Sequence, residues 1–309
     1  MYKKPITDIE LLEHLDALPG DGREVFLLER GNLRVTAVQG THMINQMRAN
    51  HGLGILESMV LGQAYIASGL LSATVKGNDR VLLTVECGGP IGGIYTEAWA
   101  NGNVRGYLKN VPIHVEKPLE DNDLTFLYGP GFITITKMIE GSSQPFSGQV
   151  MMQYGDLAKD LAVYYQMSEQ TPSLFVLSIK FDSHGRIFGA GGFFLQVMPG
   201  CPDSIPEKLD SHISGLSSLG RHLAQGGTIR QYVEQEFAPF HPEHLDTLPV
   251  AFSCPCSREN FNGYLSSLPE QEKQSIMQDG PFPLHLDCLN CSTAYDFTKE
   301  ELESIFHVS

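Results

Sequence analysis

The sequence predicts an α+β fold: an N-terminal sheet-and-helix body over residues 1–200, a helical linker over 201–251, and a small C-terminal zinc-binding domain over 252–309. Three observations predict it. Strand-like runs separated by turn residues fill most of the first part, with two helix-period stretches among them. The pattern stops at Pro199-Gly200-Cys201-Pro202. Beyond it lie short amphipathic stretches, and then two cysteine pairs in the last 58 residues (252 to 309).

The elements follow in order. Val25 to Val38 is a strand run broken at Gly31-Asn32, a hairpin signal. Between Leu53 and Leu71 the period changes, and Leu56, Val60, Ala64, Ala67 and Leu71 share one helical face. Strands are expected at Val81–Glu86, Ile94–Ala100, Val104–Leu108 and Phe132–Lys137, the second and third joined by Asn101-Gly102-Asn103. Asp156 can cap a helix running through Tyr165 with Leu157, Leu161 and Tyr164 or Tyr165 inward. Leu174–Phe181 and Arg186–Val197 are strands joined by the turn Asp182-Ser183-His184-Gly185. The lone Trp99, in an apolar strand, is expected in the core.

In the linker, Leu209, Ile213, Leu216, Leu219 and Leu223 form one stripe, diluted by Ser211, Ser214, Gly215, Ser217, Ser218 and Gly220. Each of these costs from some tenths to ~1 kcal/mol in a helix relative to alanine. A second helix runs from Thr228 to Phe237, with Thr228 and Gln231 in capping-box spacing, before Pro239, Pro242 and Pro249 interrupt. Helices this short are marginal alone, so the apolar stripe must lie on something. In the last unit Ser257 caps a helix with Phe261, Tyr264, Leu265 and Leu268 inward. Leu284-His285-Leu286-Asp287 alternates, and Thr298 with Glu301 forms a capping box ahead of Leu302, Ile305 and Phe306.

Composition narrows the partners. The hydrophobic content is 42%, enough for a sizeable core, and the formal charge is −15 from 21 basic and 36 acidic side chains. Such a chain repels a phosphate backbone, so nucleic acid is not an expected partner. The start, Met1 to Asp8, carries a basic pair without an apolar segment behind it, so no secretory signal is expected. No apolar run approaches the roughly 18 residues of a membrane span. A soluble, cytoplasmic protein is expected, and its six cysteines are then thiols or metal ligands rather than a disulfide framework.

The chemistry concentrates in Cys254-Pro255-Cys256 and Cys288-Leu289-Asn290-Cys291. In a Cys-x-x-Cys turn the backbone folds back and both sulfurs face one point. In an extended Cys-x-Cys, positions i and i+2 lie on one side, and Pro255 biases Cys254 toward that form. Four thiolates make a closed tetrahedral Zn²⁺ site with Zn–S near ~2.3 Å and no open position, which denies the site to a zinc hydrolase. A unit this small, with few large apolar side chains, needs such a staple. A structural zinc contributes on the order of 10–16 kcal/mol of apparent folding energy. Oxidation to Cys254–Cys256 and Cys288–Cys291 disulfides would remove every ligand. It would close only tiny loops, so a long-range tie is lost and the unit should melt. Four cysteines allow three pairings; this one rests on proximity along the chain.

These pairs, together with Cys256-Ser257-Arg258-Glu259, Gly192-Phe193-Phe194-Leu195-Gln196-Val197-Met198-Pro199 and Ser168-Glu169-Gln170-Thr171-Pro172, resemble the redox-regulated thirty-three-kilodalton heat-shock chaperones over nearly the whole chain. The resemblance implies a cytoplasmic, ATP-independent holdase that binds unfolding proteins under oxidative stress. It is inactive while reduced and zinc-bound, and a homodimer when active. Its zinc ligands correspond to Cys254, Cys256, Cys288 and Cys291. Zinc release would then free the segment from Leu209 to Phe237 and uncover apolar surface able to bind other proteins.

Other features have plainer readings. Gly88-Gly89-Pro90-Ile91-Gly92-Gly93 lacks a following Gly-Lys-Ser/Thr and is a turn rather than a phosphate loop. His241, His244 and His285 lie near the cysteines in sequence but are not needed as ligands. Cys87 is expected half-buried and Cys201 exposed, neither with a role. No Ser/His/Asp grouping stands out, and no enzyme is expected. Two rival readings remain: a binding module whose zinc never leaves, separated by metal release on peroxide, and a thiol–disulfide oxidoreductase, separated by turnover of a dithiol substrate.

Overall fold

A computed structural model describes residues 2–115 and 123–307. Helix α1 (Ile9–Ala17) begins where the Asp8 carboxylate accepts from the Leu11 N–H. The hairpin strands β1 (Gly22–Leu28) and β2 (Leu33–Gln39) turn through Arg30 and Gly31, both at positive φ. Helices α2 (Thr41–His51) and α3 (Ile55–Leu71) follow. Then come β3 (Arg80–Cys87), β4 (Gly93–Trp99), β5 (Asn103–Leu108), the single turn α4 (Thr125–Tyr128), β6 (Gly131–Met138) and β7 (Phe146–Met151). Helix α5 (Leu157–Met167) is capped by Asp156 as expected and leads to β8 (Ser173–Phe181) and β9 (Ile187–Val197).

The strands form two principal antiparallel-rich sheets, ordered β10-β1-β2-β9-β8 and β11-β5-β4-β3-β6-β7, where β10 is Glu243–Pro249 and β11 is Ala251–Phe252. Helix α3 lies between them, against β3, β4 and β5 on one side and β2, β8 and β9 on the other. With the turn that follows, it is long and apolar enough by length and composition to span a bilayer, contrary to the expectation that no stretch approached that. The protein already covers 78% of that window, so it serves here as a core helix. Polar residues such as Glu57, Ser58 and Ser68 interrupt its apolar run, and all three are buried.

The first sheet is covered on both faces, which explains the dense apolar run of β9. Phe194 points to the α3 core, while Phe193 and Leu195 point away. That far face, with Phe26, Val35 and Ala37, is covered by α6 (Ser204–Ile213), α7 (Leu219–Ala224) and α8 (Ile229–Glu236). Their Leu209, Leu223, Tyr232 and Val233 are all buried there, and the Thr228–Gln231 capping box is formed. The apolar stripe read as one helix is split between α6 and α7. Gly189 of β9 shows one reason for the glycines: a Cβ there would lie 2.4 Å from the Gly220 carbonyl oxygen.

Downstream lie α9 (Arg258–Ser266), capped by Ser257, α10 (Glu270–Asp279), the hairpin β12 (Leu284–Asp287) and β13 (Ala294–Phe297), and α11 (Lys299–His307). Leu265, Phe297 and Leu302 form their small core, and the Thr298–Glu301 capping contacts are present. Three side chains depart from expectation. Tyr264 is exposed (65%) because α9 buries only the Phe261–Leu265 side against its neighbours. Trp99 is half-buried at the end of its strand, with the Arg105 guanidinium over its ring. Cys201 is half-buried rather than exposed, against the core under the linker. Cys87 is half-buried as expected, and the Gly88–Gly93 segment is a turn between β3 and β4.

Candidate metal centre

The first cysteine pair is placed by the second sheet. Strand β11 pairs in parallel with β5, Ala251 opposite Asn103 and Phe252 opposite Val104, and the Ser253 N–H still donates to the Val104 carbonyl at 3.0 Å. Cys254 therefore enters the site directly from a ladder. Cys256 follows just before the cap of α9. The second pair sits in the turn between β12 and β13. There Cys288 O accepts from the N–H groups of Cys291 (3.1 Å) and Ser292 (2.7 Å), and Cys288 N donates to Thr293 O (3.0 Å). Ser292 takes a positive φ of 50° to close that turn.

All four Sγ atoms lie within 4.8 Å of one another. Cys254 and Cys288 sulfurs are 3.8 Å apart, and those of Cys256 and Cys291 are 3.3 Å apart. A tetrahedral ion at ~2.3 Å from each sulfur needs sulfurs about 3.8 Å apart. The donor set, all sulfur and convergent, fits a closed zinc site. No histidine joins this cluster among the described residues. His244 instead bonds Glu24 (2.6 Å), and His285 bonds Asp296 (2.6 Å).

Three of the cysteines are buried, and Cys256 is half-buried. Beside it opens a cavity of about 660 Å³ lined by Cys256, Cys288, Phe261, Tyr264 and Leu289. The four sulfurs polarise one another. Donation from Cys288 and then Cys291 holds the Cys254 thiol far below the ordinary range, helped by Arg105, whose Nη1 is 3.5 Å from Cys254 Sγ. Cys288, as donor to Cys254, is pushed far up. Tyr295 OH donates to Cys256 Sγ at 3.2 Å, and Cys291 Sγ contacts Thr293 Oγ1 at 3.2 Å.

The N-terminal body grips the same turn. The fully buried Asn50 donates to Cys291 O (3.0 Å) and Tyr2 O (2.9 Å), and His51 Nδ1 meets Ser292 Oγ at 2.9 Å. Burial lowers the His51 imidazole to about 4. Sequence reasoning found the four sulfurs but not Arg105, Asn50, His51 or Tyr295. All of these are distant in sequence from the cysteine they serve; Tyr295, which bonds Cys256 39 positions earlier, follows the second pair and looks like an ordinary strand aromatic.

A family model described as Hsp33 protein matches residues 21–298. The chain belongs to the Hsp33 family. Relatives called 33 kDa chaperonin, from Bacillus subtilis and Ruminiclostridium cellulolyticum, are 34% identical over 278 residues and 31% identical over 280. Each alignment covers 89% of this chain and 94% of the relative. The crystal structure of a 33 kDa chaperonin (heat shock protein 33 homolog) from Thermotoga maritima is similar with a TM-score of 0.84 at 27% identity. That match covers 94% of this chain and 99% of the other. The expected resemblance and α+β fold therefore hold. Hsp33 membership gives the chain a chaperone function, and its relatives carry the name chaperonin rather than that of an enzyme.

Proposed function

We propose that the chain is a cytoplasmic, ATP-independent holdase kept inactive by Zn²⁺ on Cys254, Cys256, Cys288 and Cys291. Oxidation to Cys254–Cys256 and Cys288–Cys291 disulfides would switch it on. The observation that carries this reading is the convergence of four sulfurs, two of whose cysteines line an open cavity, downstream of helices that cover an apolar sheet face. Each disulfide would form as two thiolates give two electrons to one hydrogen peroxide, which takes two protons from solvent and leaves as two waters. Two disulfides remove all four ligands. The chain from residue 252 then loses its long-range tie, and the 201–251 segment loses the anchor at its C-terminal end. Its apolar side chains and the sheet beneath become available to unfolded clients.

The test compares reduced and peroxide-treated protein in suppressing aggregation of a denatured client. Activity in the oxidised sample alone, with zinc released stoichiometrically, is expected; equal activity in both removes the switch. Peptide mapping decides the pairing, because the nearest sulfur contacts run across the two pairs (Cys254 to Cys288, Cys256 to Cys291) and cross-pair disulfides would keep the tail tied. By family resemblance the active form is a homodimer, which sedimentation of the oxidised protein checks.

A further inference from the structure

Arg105 sits where the N-terminal body meets the cysteines. Its Nε and Nη2 both bond Oε2 of Glu97, at 2.6 and 2.5 Å, and Trp99 lies under its guanidinium at 5.0 Å. Glu97 is only 1% exposed and also takes Arg80 at 2.8 Å. The guanidinium is thus fixed from below, with Nη1 left to reach Cys254 Sγ. The cluster of half-buried Arg80 and Arg105 on buried Glu97 carries a formal net positive charge. Four thiolates on one divalent ion leave a formal net negative charge, which a fixed neighbouring cation offsets. The placement follows from sheet register. Since Phe252 lies opposite Val104, the next residues along β5 and along the chain leaving β11 are Arg105 and Ser253, one step before Cys254.

We infer that Arg105 is a positioning residue of the zinc centre, supplied by the N-terminal sheet: held by buried Glu97, it orients the Cys254 sulfur and offsets the charge of the thiolate set. This rests on the zinc reading above. It makes retention of the metal depend on a strand more than a hundred residues away, since Arg105 and Cys254 are 149 residues apart. Hydrogen bonds to a ligand from outside the coordination sphere are typically worth 10–100-fold in metal affinity.

The experiment uses the full chain in the reduced state and measures zinc affinity by competition with a chromogenic chelator, then the rate of zinc release in peroxide. Arg105→Met should weaken zinc by about tenfold or more and speed its release correspondingly. Arg105→Lys should recover part of the loss, since a cation remains but the fork does not. Because Arg105→Met strands Glu97, the double variant Glu97→Gln/Arg105→Met relieves the buried charge and should show the same zinc defect. Arg80→Met is the structural comparison: it removes a partner of Glu97 that bonds Met138 Sδ but no cysteine sulfur, and zinc affinity should fall clearly less than in Arg105→Met. Wild-type affinity in Arg105→Met and in the double variant, or an equal defect in Arg80→Met, overturns the inference alone. Wild-type protein that binds no zinc overturns the metal reading and this inference with it.

Discussion

At the scale of single residues, local geometry and distant contacts divide the site. The spacing within each cysteine pair is local, so the sequence displayed it directly. What surrounds the sulfurs comes from Asn50, His51 and Arg105, and no sequence pattern ties an arginine in β5 to a cysteine 149 positions later. The turn at Asp182 is the opposite case, legible as Asp-Ser-His-Gly and built as read. Burial by itself would raise the Asp182 carboxyl. The N–H groups of Arg186 and His184 and the Arg186 guanidinium overcome this and hold it at about 2. A carboxyl with a depressed folded pKa stabilises above its unfolded value of about 4 and loses that contribution as pH falls through about 2. Carboxyl-detected NMR should place its titration near 2, and Asp182→Asn should flatten the acid limb of the β8–β9 turn's amide protection between those limits.

Among the elements, those with a clear apolar period or run and firm punctuation were readable: the β1–β2 hairpin, α3, α5, β8 and β9. Others were hidden for physical reasons. Strand β7 is a largely exposed edge and carries no apolar alternation. Strand β10 looked like a proline-interrupted stretch, yet Pro242 precedes it and Pro249 ends it, places where a missing N–H costs the ladder little. Its pairing with β1 is held by Glu24, whose Oε2 accepts from His244 (2.6 Å), Thr247 (2.7 Å) and Arg230 of α8 (3.0 Å). One carboxylate thus fixes both the strand and the last covering helix. Glu24→Ala should cost about 1–3 kcal/mol. In reduced protein it should raise proteolytic cleavage between residues 229 and 249 while leaving β8 and β9 protected.

For the molecule as a whole, the sequence suggested a large mixed body followed by a cysteine-bearing tail, with no sign that the two share a core. Cys254, Cys288 and Cys291 pack with the same buried cluster as Tyr65, Val104 and Phe252. Stripping zinc with a strong chelator under reducing conditions should therefore increase hydrogen exchange in residues 250–307 and also at the β5 edge that β11 covers. Increased exchange confined to the tail beyond Cys256 would show that the body does not sense the metal.

One further property follows from residues 243–252. They complete one sheet beside β1 and, after a single intervening residue, the other beside β5. Because one residue joins the two edge strands, detaching β10 from β1 should pull β11 from β5, and the two losses are expected as one cooperative step. Such a linkage turns a graded chemical input into a steep, all-or-none output, with two bare pairing edges appearing together.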